Sequence, residues 1–160
     1  MHGVTIEAAR AATDEVRELI GELDRTLGAE YPPEQQHGLT LEGIFQPHVR
    51  FFIARLDGAA VGCGGVALFA TFAEVKRMYV RPDARGRGIG DALLSRIESE
   101  AKSAGLDVLR LETGDKQVAA MRLYDRAGFR PCAAFGDYAL MPPYATATSV
   151  FLEKMLTSTH

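Results

Sequence analysis

The segment Val75-Lys76-Arg77-Met78-Tyr79-Val80-Arg81-Pro82-Asp83-Ala84-Arg85-Gly86-Arg87-Gly88-Ile89-Gly90-Asp91-Ala92-Leu93-Leu94 reads as a strand, a glycine-rich turn and the start of a helix. Val75, Met78, Tyr79 and Val80 favour extended backbone, and Pro82 keeps the residue before it out of the helical region, so the strand should stop near Arg81. Beyond the turn, Ile89, Ala92, Leu93, Ile97 and Ala101 recur at three-to-four spacing and Gly105 supplies a stop. This predicts a helix over 88–104. The unpaired N–H groups of its first turn face Gly86, Gly88 and Gly90, which carry no side chain to keep an anion from the backbone. Arg85 and Arg87 add positive charge at the same place. The chemistry suits a phosphate or pyrophosphate.

Two general phosphate motifs do not fit. A P-loop needs Lys followed by Ser or Thr after its last glycine, where this chain has Ile89-Gly90-Asp91. A dinucleotide fingerprint spaces its glycines Gly-x-Gly-x-x-Gly, whereas here they run Gly86-x-Gly88-x-Gly90. The segment resembles instead the acyl-CoA-binding motif of the GNAT superfamily of acetyl-CoA-dependent N-acetyltransferases, Arg/Gln-x-x-Gly-x-Gly/Ala after a strand ending Val-x-Pro. Val80-Arg81-Pro82 and Arg85-x-x-Gly88-x-Gly90 match it without a gap. Further on, Leu123-Tyr124-Asp125-Arg126-Ala127-Gly128-Phe129 matches a second signature of that family, Leu-Tyr-x-x-x-Gly-Phe. The resemblance covers roughly residues 49–155 in motif order.

Bulk properties agree with a soluble enzyme-sized unit. The 160 residues are expected to form one domain over 1–160, large enough to bury a core without disulfides. No apolar run approaches a membrane span, and the opening Met1-His2-Gly3-Val4-Thr5-Ile6-Glu7 does not read as a signal peptide, so a cytoplasmic location without membrane partners is expected. Cys63 and Cys132 read as bystander thiols, and no metal is expected. A net charge of −3 argues against a nucleic-acid partner. Against it stands a local basic patch of Lys76, Arg77, Arg81, Arg85 and Arg87, compact enough for a small polyphosphate.

In chain order, residues 4–8 read as a first strand. Thr13 caps a helix with Val16, Leu19, Ile20, Leu23 and Leu27 on one face, running to Gly28. Residues 30–38 read as a loop with a short proline-opened helix, and 39–45 as another turn. Here His37 and His48 are placed at the surface. Residues 49–56 and 59–69 form a hairpin around Asp57-Gly58, with a bulge or close packing expected at Gly62, Gly64 and Gly65. Residues 73–80 are the next antiparallel strand. After the long helix, 106–112 alternates as a strand, parallel to 73–80 because a helix connects them. A helix over 115–127, a turn or bulge at 135–138, loop over 139–145 and a closing strand over 148–155 complete the chain. That last strand leaves an edge that could pair in a homodimer.

The resemblance implies an α+β fold, three-layer α/β/α-like, with a mixed, mostly antiparallel sheet of about six to seven strands splayed at its centre and about four helices. It implies that backbone groups of Met78, Tyr79 and Val80 hold the pantetheine arm of acetyl-CoA. The amides of Arg85, Gly86, Arg87, Gly88, Ile89 and Gly90 would take the pyrophosphate. Gln117 stands where the family often has Asn contacting the cofactor. Transfer to an alkylamine of pKa about 10.4 meets a deprotonation cost of roughly 4–5 kcal/mol at pH 7, which a general base relieves. Glu74 is the first candidate, placed by strand alternation on the face of Met78, and Glu112 is the alternative. Tyr124 occupies the family's general-acid position, where a phenol can protonate the leaving thiolate. The N-terminal wall offers Glu30, Tyr31, Glu34, His37 and Glu42 toward the acceptor, which is a small-molecule, amino-acid or peptide amine. Gly88→Asp or Gly90→Asp should remove CoA binding while leaving the fold intact. A non-catalytic acyl-CoA-binding module is the alternative.

Overall fold

The computed structural model describes residues 3–156. Met1 and His2, at the head of the stretch read as lacking a signal peptide, lie outside the described residues. Seven strands form one sheet: β1 (Val4–Ala9), β2 (Val49–Leu56), β3 (Ala59–Leu68), β4 (Ala73–Val80), β5 (Val108–Gly114), β6 (Arg130–Pro131) and β7 (Ser149–Met155), ordered β1-β2-β3-β4-β5-β7-β6. All neighbours are antiparallel except β4 and β5. Four helices accompany them: α1 (Asp14–Glu30), α2 (Ile89–Ser103), α3 (Val118–Arg126) and the single turn α4 (Pro143–Thr146). The expected α+β architecture is present. Buried side chains fall into two clusters on opposite faces of the sheet. Leu93, Leu94 and Ile97 of α2 and Leu123 of α3 belong to one, Val16, Leu19, Ile20 and Leu23 of α1 to the other.

Local chemistry accounts for most boundaries. Thr13 Oγ1 accepts the Val16 amide at 3.3 Å, capping α1 with Asp14 and Glu15 in its first turn. The helix does not stop at Gly28. It runs to Glu30 and ends where Tyr31, preceding Pro32, is forced extended (φ −135°, ψ 141°). In the β2–β3 hairpin both Asp57 (φ 50°) and Gly58 (φ 89°) are left-handed, the pattern of a type I′ turn.

α2 ends in a Schellman motif, Gly105 N–H to Lys102 O at 2.9 Å and Leu106 N–H to Ala101 O at 3.0 Å. The cap takes Leu106 out of the strand read over 106–112, and β5 consequently begins at Val108 and extends to Gly114. The helix read over 115–127 starts only at Val118, because Asp115 N–H bonds Thr148 O and Gln117 N–H bonds Gly114 O in a connecting turn. Pro142 and Pro143 open a helical turn in what was read as loop. β7 is not an edge either. It lies between β5 and β6, the latter covering only Leu152 and Glu153, and the outermost strands are β1 and β6. No helix among the described residues is long and apolar enough to cross a membrane.

Candidate active site

The site begins with a fault in β4. Across from it on β3, Cys63 pairs with Tyr79 and Gly65 with Lys76, so Gly64 alone opposes Arg77 and Met78. This is a β-bulge, with Arg77 in the left-handed region at φ 53°. Gly64 permits it: a Cβ there would lie 3.1 Å from Met78 Sδ, and one at Gly62 would lie 2.8 Å from the Tyr79 carbonyl oxygen. On its other side β4 pairs with β5 over only two residue pairs, Ala73 with Leu109 and Glu74 with Arg110, ahead of the bulge. Beyond them Met78, Tyr79 and Val80 have no described strand paired on their β5 side, where a gap opens.

The extra residue also changes which way side chains point. Ala73 and Val75 pack with the α2 cluster, and so do Met78 and Val80, while Tyr79 joins the α1 cluster. Parity therefore flips at Arg77, and Glu74 does not share the face of Met78 as simple alternation predicted.

The gap opens into a groove of about 660 Å³, within the usual size of ligand sites. One wall is Met78 to Val80 and the glycine turn. The other is the first turns of α3, including Gln117. Gly86 (φ 81°) and Gly88 (φ 79°) are left-handed, and Gly88, the N-cap of α2, offers no side-chain cap to the helix amides. Those amides are thus available to an anion at the positive end of a fifteen-residue helix. A Cβ on Gly86 would meet nothing within 4 Å, so the turn is open to a ligand. An unpaired strand edge leading to uncapped amides fits the pantetheine arm and pyrophosphate of acetyl-CoA. Ile89 is buried and can give only its amide. Tyr79 likewise contributes backbone, since its hydroxyl donates to Glu22 Oε1 at 3.0 Å on the α1 side and burial pushes its pKa up to about 12. Val80's carbonyl already accepts Arg85 Nε at 3.3 Å. Arg87 is exposed and does not line the groove.

The basic patch is divided. Arg77 is buried against Asp24, Arg81 holds Glu18 and Glu22 at 2.7 and 2.9 Å, and Lys76 holds Glu74 at 2.9 Å. Arg85 and Arg87 alone of the five remain at the turn. Gly90 also differs from expectation: a Cβ there would lie 2.8 Å from Leu123 Cδ2, and Gly88 is left-handed, so neither aspartate substitution would leave the packing untouched.

A second, smaller cavity of about 100 Å³ meets the groove at the split, the two sharing Leu23, Met78, Gln117 and Ala120. Glu74, Glu112 and Tyr124 all line it. Glu74 is buried, and its Oε2 receives both the Tyr138 hydroxyl at 2.6 Å and Lys76 Nζ at 2.9 Å. Glu112 accepts from Ser149 Oγ at 2.7 Å; burial holds its carboxyl above the usual carboxylate range against that bond. Tyr124 is 4% exposed, and burial, with the Glu112 charge, raises its pKa.

The spacing Tyr-x-x-x-Gly-Phe has a backbone reason. Phe129 N–H bonds Tyr124 O at 3.0 Å and Gly128 N–H bonds Asp125 O at 3.1 Å, a Schellman motif whose glycine is left-handed (φ 97°). The Tyr124 and Phe129 rings meet edge to face at 5.6 Å, fixing the tyrosine at the cavity wall.

One contributor escaped the sequence reading, and two that it had offered on the N-terminal wall take defined partners. Tyr138, in a stretch read only as a turn, bridges Glu74 and Lys76. His37, read as a surface residue, lines the cavity, meets the Tyr138 ring at 5.6 Å and donates from Nε2 to Ala145 O at 2.7 Å. Tyr31 accepts the Lys116 amide at 2.8 Å, tying the end of α1 to the turn after β5. No local signal marks Tyr138, although the Lys76–Glu74 pair that it joins has one, two-residue spacing on one strand face. Glu34 and Glu42 are exposed and Glu30 lines the groove instead, while His48 is exposed as read. Among the described residues no cluster of three or more His, Cys, Asp or Glu could hold a metal ion.

The family model for the acetyltransferase (GNAT) family matches residues 14–129, most of the chain and both halves of the split. The chain belongs to the GNAT acetyltransferase family. A protein from Azospirillum brasilense named IAA acetyltransferase is 46% identical over 158 residues, covering 98% of this acetyltransferase and 100% of its own length. A Klebsiella pneumoniae structure provisionally assigned as an acyl-CoA N-acyltransferase superposes with TM-score 0.76 at 34% identity, covering 96% of this chain and 98% of that one. The fold also matches an Elizabethkingia anophelis GNAT acetyltransferase solved with acetyl-CoA bound, with TM-score 0.65 at 19% identity, covering 98% and 100% of the two chains. This GNAT protein is accordingly an acyltransferase.

Proposed function

We propose that the enzyme moves an acetyl group from acetyl-CoA to a primary amine of a small molecule, amino acid or peptide, by direct attack with both substrates bound. The observation that carries this reading is the split beside β4. There an unpaired strand edge runs from uncapped helix amides to a cavity lined by two carboxylates and three phenols. Met78 to Val80 and the amides of Arg85 to Gly90 would hold the cosubstrate, with Gln117 across the groove and Tyr124 in the adjoining cavity. Acetyl-CoA supplies an activated acyl group on a thiol leaving group.

The chain's own residues handle protons. Glu74 is engaged by Tyr138 and Lys76 on one oxygen, whereas burial raises the Glu112 carboxyl above the usual carboxylate range, the direction that makes it a better proton acceptor. We assign Glu112 as the base, direct or through water, and Glu74 as the group that holds Lys76 and Tyr138 in place. Tyr124, kept protonated by burial, is the acid that delivers a proton to the thiolate.

The test is thiol release from acetyl-CoA against a panel of amines, with wild type and Tyr124→Phe in parallel. IAA is assayed separately beside the amines because the Azospirillum relative is named for it. Release with one amine class, reduced about 10²- to 10⁴-fold in the variant, supports the reading. Full turnover by Tyr124→Phe removes the assigned acid, and release with no amine at all rejects amine transfer.

A further inference from the structure

The cavity that holds the proposed base and acid already contains an amine. Lys76 Nζ lies 2.9 Å from Glu74 Oε2 and 3.0 Å from the Tyr138 hydroxyl, and the side chain is 12% exposed. Of the chain's lysines, Lys76, Lys102, Lys116 and Lys154, only Lys76 lines this cavity. Lys154 is paired with Glu98 at 2.9 Å, and Lys116 reaches the Glu30 carbonyl at the surface.

We propose that Lys76 is a self-acetylation site: without acceptor, the enzyme acetylates its own Lys76 Nζ, and the resulting amide closes the cavity. The inference rests on the function proposed above. The Lys76 ammonium first gives up a proton, with Glu112 lining the same cavity as the base. Its lone pair then forms a C–N bond to the acetyl carbonyl as the C–S bond breaks. The departing sulfur takes up a proton, so the products are N-acetyl-lysine, free thiol and one released proton.

Glu74 and Tyr138 slow this reaction. Together they hold Nζ on the far side of the flipped strand from Met78, and the amine must leave at least one of them to react. A free acceptor meets no such restraint, so it is served first. Once acetylated, Lys76 carries no charge and loses its ion pair with Glu74. Its three added heavy atoms take a large share of a cavity of about 100 Å³. The modification therefore stops turnover when acetyl-CoA is plentiful and acceptor absent.

The test incubates the full-length protein with acetyl-CoA alone and follows each lysine by peptide mass spectrometry. Lys102, at the far end of α2, reports unassisted acylation. Lys76 should gain an acetyl group at least about tenfold faster than Lys102, the advantage of a positioned over a colliding amine. Its rate should saturate with acetyl-CoA and fall when free CoA is added. Tyr138→Phe, which removes one restraint, should raise it severalfold. Activity toward an accepted amine should decline in step, and Lys76→Arg should keep its own starting activity through the same preincubation. Acetylation of Lys76 no faster than of Lys102, or failing to saturate, overturns the proposal. Turnover of an amine with Lys76 unmodified rejects this inference alone, and absence of both rejects the proposed function as well.

Discussion

Gly90 sits in the first turn of α2 against Leu123 of α3, and Gly90→Ala sets two effects of known size against each other. Alanine is better than glycine within a helix by about 0.8–1 kcal/mol. Its Cβ, however, would lie 2.8 Å from Leu123 Cδ2 and 3.4 Å from Cδ1. Those carbons are the tip of a side chain, yet Leu123 is only 9% exposed and belongs to the core cluster under α2, so it cannot swing free. Overpacking of this kind costs about 1–3 kcal/mol, giving a net destabilisation of about 0–2 kcal/mol. Leu123→Ala alone should cost about 2–3 kcal/mol, low in the usual range because the residue borders the groove. In the double variant the overlap disappears while the helical gain remains. The pair should then be more stable than the sum of its singles by about 1–3 kcal/mol, or a few degrees in melting temperature for a chain of this length. Urea denaturation of all four proteins measures the coupling. Additivity within about 0.5 kcal/mol would refute the contact between the two helices.

Further outcomes follow from the same geometry. Because burial raises the Glu112 carboxyl, kcat/KM should fall on acidification through a pKa above the ordinary carboxylate value, and Glu112→Gln should abolish that limb while Glu74→Gln leaves it; a pH–rate profile with a weakly basic acceptor decides. The same raised pKa stabilises the fold at low pH and is lost as pH rises through it, so Glu112→Gln should lose less stability between pH 4 and 7 than wild type in pH-dependent denaturation. Asp24→Ala leaves the buried Arg77 guanidinium without its carboxylate and should destabilise by about 1–3 kcal/mol, moderated because Asp24 itself is largely exposed; thermal unfolding measures it. Arg85→Ala should weaken CoA binding with a reduced salt dependence, and Arg87→Ala should do so less, both read by calorimetry at two ionic strengths.

What the sequence revealed was what depends on near neighbours. The glycine turn, the Asp57-Gly58 hairpin and the spacing from Tyr124 to Phe129 each encode a local backbone geometry, and each is found as read. The bulge at Arg77 has no signal in its own strand, although the glycines opposite it were read as a place for a bulge or close packing. Arginine is not a residue that favours left-handed backbone, and the cause lies across the sheet at Gly64. The basic patch was misread for a related reason. The carboxylates that take up Arg77 and Arg81 stand on α1, more than fifty residues earlier, and only packing brings them together. Tyr138 reaches Glu74 from sixty-four residues away, out of a stretch with no periodicity.

The two rungs joining β4 to β5 make the sheet a hinged pair of plates. Besides the chain itself, one plate is connected to the other by Ala73 and Glu74 facing Leu109 and Arg110, and by contacts of the helices and loops that straddle the split. A sheet so weakly stitched should breathe by opening and closing the wedge beyond those rungs, with amide hydrogens of Met78 to Val80 exchanging faster than those of β3 at equal burial. Whatever fills the wedge then serves as the missing strand. It couples the plates mechanically, and a ligand held by both would slow exchange on both sides of the split as one unit, far beyond the atoms it touches.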